Sequence, residues 1–452
     1  RRVLFRSAVM QPRNFDDIRF TSVHRRVMLW GSGGPFLDGY VLVIIGVALE
    51  QLTPILQLDT RWIGLLGAAT LAGLFIGTSL FGYICDKVGR RKMFLVDIVA
   101  IAVISIATMF VSTPIGLLVM RFLIGIVIGA DYPIATSMIT EFSNKKQRAF
   151  AVGFIAAMWY IGATCANLVG YLLYDVQDGW RWMLGSAFIP CVIILIGRFD
   201  LPESPLWLIR QGRIKECNEM MIKLFGEPVV FEAEDAKTTR FIELFNKRHF
   251  SFVLFVAVIW TCQVIPMFAI YTFGPQIVGL LGWDTGRSAA LGNVVISLFF
   301  MLGCIPAMFW LNQTGRRPLL IGSFAMMTLA LFTLGIFPNL PILFVILAFA
   351  TYAFFSGGPG ILQWLYPNEL FPTDIRASAV GVIMSISRIG TVISTCALPA
   401  FIATYGINTT MLVGAAISLF GMMVSVLFAP ETKGLTLKQT SKMPMRRGKK
   451  SL

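Results

Sequence analysis

The stretch Arg121-Phe-Leu-Ile-Gly-Ile-Val-Ile-Gly129-Ala-Asp131-Tyr132-Pro-Ile-Ala-Thr-Ser-Met-Ile-Thr-Glu141-Phe-Ser-Asn-Lys-Lys-Gln-Arg148 decides what kind of chain this is. Between Arg121 and Glu141 it is apolar or small over about the 20 residues that a helix needs to cross a bilayer. Only Asp131 interrupts the run. A carboxylate at the centre of a spanning helix costs roughly 2.5–3.5 kcal/mol on insertion scales, so such an acid is expected to face a cavity and to work there. The polar turn from Ser143 to Arg148 ends the span.

The rest of the chain supplies more runs of this kind. Of 452 residues, 56% are hydrophobic and 14% charged, and the mean hydropathy is +0.75, whereas soluble domains carry about 25% charge. Apolar runs of spanning length centre near residues 40, 73, 103, 129, 161, 191, 261, 300, 327, 353, 389 and 418. Six precede a charged segment at 202–249 and six follow it. The expected fold is all-α, with twelve transmembrane helices in two six-helix halves. The expected divisions are a tail at 1–26, bundles at 27–201 and 250–429, the linker at 202–249 and a basic tail at 430–452. Residues 1–9 read as non-native, because Met10-Gln-Pro-Arg-Asn-Phe15 has the form of a natural start. No cleavable signal peptide is expected, since the first span carries Asp38 and eleven more follow.

A net charge of +14 invites a nucleic-acid reading, and the placement of the charges decides against it. Arg61, Arg181 and Arg287 fall in outer segments, and Arg121 and Arg388 lie inside helices. The remaining Lys and Arg lie in inner segments when both termini are cytoplasmic, as basic loops favour that side. The seven cysteines, at 85, 165, 191, 217, 262, 304 and 396, lack the paired spacing of a disulfide framework or a metal site. His24 and His249 each flank the first helix of a half and are expected at solvated edges. No metal, cofactor or clustered catalytic set is indicated, so an enzyme is not expected.

Internal repetition fixes the arrangement of the halves. Gly89-Arg90-Arg91 returns as Gly315-Arg316-Arg317, Glu141 to Arg148 as Glu369 to Arg376, and Pro202-Glu203-Ser as Pro430-Glu431-Thr, all at nearly one interval. A duplicated six-helix unit places a binding site between the halves near mid-membrane.

Several stretches resemble a known family. Gly82-Tyr-Ile-Cys-Asp86-Lys-Val-Gly89-Arg90-Arg91-Lys92 is similar to the loop signature of the major facilitator superfamily, in which such loops hold one face of the bundle closed. Leu201-Pro-Glu203-Ser-Pro-Leu-Trp-Leu208, Gly357-Gly-Pro-Gly360 through Trp364 to Glu369-Leu-Phe-Pro-Thr-Asp-Ile-Arg376, and Pro430-Glu431-Thr-Lys-Gly434 resemble signatures of its sugar-porter branch. Leu206 departs from the usual Arg there, and Asn312 stands where the second loop would carry the counterpart of Asp86. The resemblance implies the major facilitator fold and a cytoplasmic gate of Asp86, Gly89, Arg90, Arg91, Glu141, Arg148, Glu203, Arg316, Glu369, Arg376 and Glu431. It also implies a helix ten that starts, and can bend, at Gly357.

Specificity motifs point in three directions. The hexose pattern of helix seven is reduced to Cys262-Gln263-Val-Ile-Pro-Met-Phe268, Gly129-Ala-Asp131-Tyr132-Pro133 resembles proton-coupled phosphate symporters, and Arg388 resembles the helix-eleven Arg of organic-anion carriers. An intramembrane Arg needs an acid, a carbonyl cluster or an anionic substrate. The expected function is proton-coupled uptake of a small polar metabolite such as an organic acid, with a sugar or phosphate symporter, or an exporter of the same fold, as the alternatives. The proton is assigned to Asp131 or Asp38, and the substrate to Arg388, Gln263, Tyr271, Asn293, Trp364, Tyr132 and Trp159. The expected setting is the lipid bilayer of a bacterial inner membrane, as a monomer, with protons and a small-molecule substrate as partners.

Overall fold

The computed structural model describes residues 13–14, 21–143, 148–226, 229–230, 246–282, 286–337, 339–371 and 373–433. The readings on residues 1–9 and 434–452 lie outside these, as do the side chains of Asp86, Tyr132, Arg148, Asn312 and Arg376. The first six spans are α1 (Ser22–Gly31) with α2 (Gly33–Ile55), α3 (Thr60–Val88), α4 (Arg90–Met109), α5 (Pro114–Glu141), α6 (Arg148–Leu172), and α7 (Gly179–Gly185) with α8 (Phe188–Arg198). After the short linker helices α9 (Pro205–Arg210) and α10 (Ile214–Phe225) come α11 (Lys247–Leu280), α12 (Arg287–Thr314), α13 (Arg316–Ile336), α14 (Ile342–Leu370) and α15 (Thr373–Phe428). α15 holds two spans, because Gly406 breaks it with φ +80° and ψ 167°. The first span is likewise broken, at Ser32, within Gly31-Ser-Gly-Gly-Pro35. A parallel pair of two-residue strands, β1 (Arg13–Asn14) and β2 (Val229–Val230), ties the N-terminal tail to the linker.

Helices in hydrocarbon gain little from burying one another's apolar faces, so their association depends on close packing. Small residues make that possible here. Gly73 and Gly77 on α3 face Gly125 and Gly129 on α5, and a Cβ at Gly77 would stand 2.0 Å from the Ile126 carbonyl oxygen. Within the halves α3 packs on α5, α2 on α6, α12 on α14 and α11 on α15; between them α3 meets α15, α6 meets α12 and α2 meets α11. The Gly357–Gly360 run sits inside α14 and not at its start, since Ile342 to Ser356 is already helical. Its glycines serve approach, with Gly357 against the backbone of Gly303.

The repeated loops fold alike. Gly89 and Gly315 both take positive φ, +104° and +95°, a turn that glycine enters without the usual Cβ penalty. Arg90 pairs with Glu141, which also accepts from Ser204 Oγ; in the second half Arg316 pairs with Glu369 at 2.8 Å, and Glu369 accepts from Thr432. Glu203 Oε1 accepts from the backbone N–H groups of Arg90 and Arg91, and Glu431 from those of Arg316 and Arg317, each at 3.1 Å. Arg91 and Arg317 complete the match by donating to the carbonyls of Phe199 and Val426. Each carboxylate here caps a helix N-terminus or neutralises a shielded guanidinium.

Breaking a buried pair by removing one partner costs about 3–5 kcal/mol, an upper bound for groups with some exposure. Glu141 is 8% exposed and Glu369 17%. Glu141→Gln is therefore expected to lower the unfolding midpoint of the purified protein more than Glu369→Gln does. Equal midpoints for both variants and the unaltered protein would count against the ion pairs as structural ties.

Candidate functional site

Where the halves meet, a narrow cavity of about 30 Å³ opens, smaller than the roughly 300–1,000 Å³ of fully formed small-molecule sites. Pro35, Trp159 and Tyr160 line it from the first half, and Trp260, Phe268, Gln363, Trp364 and Arg388 from the second. Trp260 and Trp364 meet edge to face at 4.9 Å. Its walls are thus mainly aromatic, with a few polar groups.

Arg388 supplies the charge. It is 4% exposed, its Cζ lies 5.4 Å from the centre of the Phe268 ring, and Nε and Nη1 have no hydrogen-bond partner among the described residues. Among the described residues no carboxylate lines the cavity. Cation–π attraction of about 0.5–2 kcal/mol compensates a buried guanidinium only in part.

The structure brings together three of the expected substrate residues, Trp159, Trp364 and Arg388, and sets three others behind the wall. Gln263 donates to Ser356 Oγ at 2.9 Å and reaches Tyr160 OH at 3.5 Å. Tyr271 packs edge-on against Trp159 and stacks on Phe300. Asn293 donates to Asn167, which donates to Ser297, so this group joins α6 of one half to α12 of the other. Gln263 and Asn293 are held away from the cavity by these amide hydrogen bonds, and Tyr271 by its ring contacts.

The halves are closed together on the side opposite the linker. Arg287 pairs with Asp175 at 2.7 Å, and a Cβ at Gly64 would stand 2.1 Å from the Cys396 carbonyl oxygen. In the same region burial pushes the Tyr174 phenol up to about 12, with the Glu50 carboxylate beside it adding to the effect. Tyr174 therefore keeps its proton at ordinary pH.

The two intramembrane acids lie in different surroundings. Asp38 accepts from the indole N–H of Trp159 at 2.5 Å, directly behind the cavity wall. Asp131 does not face the cavity. It is 2% exposed and bonded to Arg198 Nη1 at 2.8 Å, and Asp97 Oδ1 lies 3.8 Å from the same nitrogen. This corrects the sequence reading at two points: an ion pair takes the place of the cavity expected at Asp131, and Arg198, counted with the inner loop residues, is buried. Arg121, inside α5 as expected, donates to the Val41 carbonyl at 2.9 Å. His24 is also buried, not solvated, and bonds Thr21.

Sequence reasoning passed over Asp97, although it is a lone acid in an apolar run and carries the same signal as Asp131. Arg198 had no such signal, since a basic residue at the end of a span reads as a loop residue. Tyr160 and Gln363 were recognisable only as packing and motif neighbours.

Comparison with known proteins agrees with this architecture. Residues 27–443 match the family described as "Sugar (and other) transporter". The chain is 77% identical over 438 residues to the "Putative metabolite transport protein YaaU" of Escherichia coli, covering 97% of this chain and 99% of that one. It is 34% identical over 432 residues to the E. coli "Inner membrane metabolite transport protein YgcS", covering 94% and 96%. Among solved structures, the partially occluded inward-open xylose transporter XylE of E. coli superposes with a TM-score of 0.79 over 92% of this chain and 100% of that chain. At 20% identity that likeness speaks for the fold alone. The chain belongs to the sugar (and other) transporter family: it is a multi-pass membrane transporter of the major facilitator fold, and not an enzyme.

Proposed function

We propose that the protein carries a small organic anion across the membrane, coupled to protons, by alternating access of the central cavity. One observation carries this reading: the cavity contains a buried guanidinium, Arg388, whose Nε and Nη1 have no partner and which faces no carboxylate among the described residues. An anionic group of the substrate supplies the missing charge, and the aromatic walls hold its apolar body. A neutral sugar is the second reading. It is favoured by Gln363, whose buried Oε1 has no partner among the described residues, and by relatives named for sugars, such as the "Arabinose-proton symporter" of Bacillus subtilis at 25% identity.

Coupling is assigned to Asp38. Its indole partner Trp159 forms part of the cavity wall, so a change in its charge reaches the substrate through one side chain. Both termini lie on the cytoplasmic side of a bacterial inner membrane, because the loops on the linker side hold most of the basic residues. The latches around Glu141 and Glu369 face the cytoplasm, and the contacts of Arg287 with Asp175 and of Gly64 with Cys396 close the outer side. One charge moved through 100 mV is worth about 2.3 kcal/mol, enough to concentrate a solute against its gradient. The protein works as a monomer.

A thermal-shift screen of the purified protein against carboxylates, aromatic acids, phosphate and hexoses tests the substrate class. A carboxylate is expected to stabilise, and Arg388→Gln to weaken its binding about 10- to 100-fold, as for the loss of a charge-assisted bond of roughly 1.5–3 kcal/mol. Stabilisation by a neutral sugar alone, unchanged in Arg388→Gln, would overturn the anion reading. In proteoliposomes, Asp38→Asn is expected to abolish accumulation driven by a proton gradient while retaining exchange of substrate for substrate. Undiminished accumulation would remove Asp38 from the coupling.

A further inference from the structure

We propose that Asp97, Asp131 and Arg198 form a second proton-binding site, walled off from the cavity, whose charge state sets the hinge in the first span. Two carboxylates and one guanidinium meet inside the first half, and all three side chains are shielded from solvent. Asp97 Oδ1 and Asp131 Oδ1 gather on one nitrogen, at 3.8 Å and 2.8 Å from Arg198 Nη1. Asp97 Oδ1 accepts from the backbone N–H of Ile98 at 2.7 Å, while Oδ2, also buried, receives no donor among the described residues. One guanidinium balances one carboxylate, and a second buried negative charge beside it is strongly disfavoured. A proton held between the two acids supplies both the missing donor and the missing charge.

The same guanidinium holds the break in the first span. Its Nε donates to the Trp30 carbonyl at 2.9 Å and its Nη2 to the Gly31 carbonyl at 3.3 Å. Residue 35 is proline, so the N–H that would close a helical bond to the Gly31 carbonyl does not exist, and Arg198 takes its place. Asp131 abuts the other side of the break: a Cβ at Gly34 would stand 0.9 Å from its Oδ2. The next residue, Pro35, lines the cavity. Other groups facing the cluster are the Phe94 ring and carbonyl from α4 and Cys191 from α8; α1 and α2 contribute backbone.

When the shared proton leaves, Arg198 faces two carboxylates and is drawn from the Trp30 and Gly31 carbonyls towards them, which loosens the break beside the cavity. The proton is taken up from, and returned to, water as hydronium, so no other reactant is required. The repeat sharpens the assignment. At the corresponding positions of the second half stand Ser323, Pro359 and Val426, so the cluster belongs to the first half alone.

Infrared difference spectroscopy on the purified protein in lipid tests this without substrate, so its failure is separable from failure of the anion reading. At neutral pH the protein is expected to show the carbonyl stretch of a protonated carboxyl that survives in Asp38→Asn. Asp97→Asn and Asp131→Asn should each abolish this same band, since either substitution leaves one carboxylate paired with Arg198. Amide exchange of residues 28–37, corrected for its intrinsic pH dependence, should rise severalfold from neutral to alkaline pH in the unaltered protein and stay flat in either variant. Absence of the band, its persistence in Asp97→Asn or Asp131→Asn, or pH-independent exchange in the unaltered protein would overturn the proposal. The first and last of these use neither cluster variant, so they decide even if a variant does not fold.

Discussion

A charge inside hydrocarbon has no water to fall back on, and this constraint organises the whole molecule. Every buried guanidinium must find acids, carbonyls or a ring within the protein. Arg90 and Arg316 find Glu141 and Glu369, Arg121 finds the Val41 carbonyl, and Arg198 finds two aspartates and three carbonyls. Arg388 alone of these points into space shared by both halves with a ring as its neighbour. Among these guanidiniums, Arg388 is therefore set apart by its place on the cavity wall.

Duplication provides the frame, and departures from it carry the specific chemistry. The loops at Gly89 and Gly315 repeat bond for bond, down to the carbonyls that accept from Arg91 and Arg317. Such equivalence suits parts that must close one face symmetrically. By contrast, Arg388 falls at the repeat position of Tyr160, and both line the cavity, so one ancestral position serves a cation on one side and a phenol on the other. Acids within the spans gather in the first half, next to the broken first helix. The intramembrane acids and Arg388 thereby stand in different halves of the molecule.

That broken helix links the two. Gly31-Ser-Gly-Gly-Pro35 interrupts the backbone ladder, and unpaired carbonyls at membrane depth need donors from elsewhere. Arg198 provides them, the indole of Trp30 lies over Gly197 beside it, and Pro35 carries the consequence to the cavity wall. Helix break, ion cluster and cavity therefore adjoin one another.

By itself the sequence determined the all-α membrane class, the twelve spans and the duplicated halves, because spanning length, hydropathy and repeat interval are properties read along the chain. It also singled out Asp38, Asp131 and Arg388, since an ionisable residue in an apolar run is conspicuous wherever its side chain points. Only the tertiary structure decided what those charges face. Asp131 became half of an ion pair because α8 brings Arg198 to it across 67 positions of chain, and no local pattern encodes such an encounter. Gln263, Tyr271 and Asn293 lie at the seam between the halves for the same kind of reason: their neighbours Ser356, Trp159 and Asn167 come from distant parts of the chain, and which groups meet is a matter of packing in space.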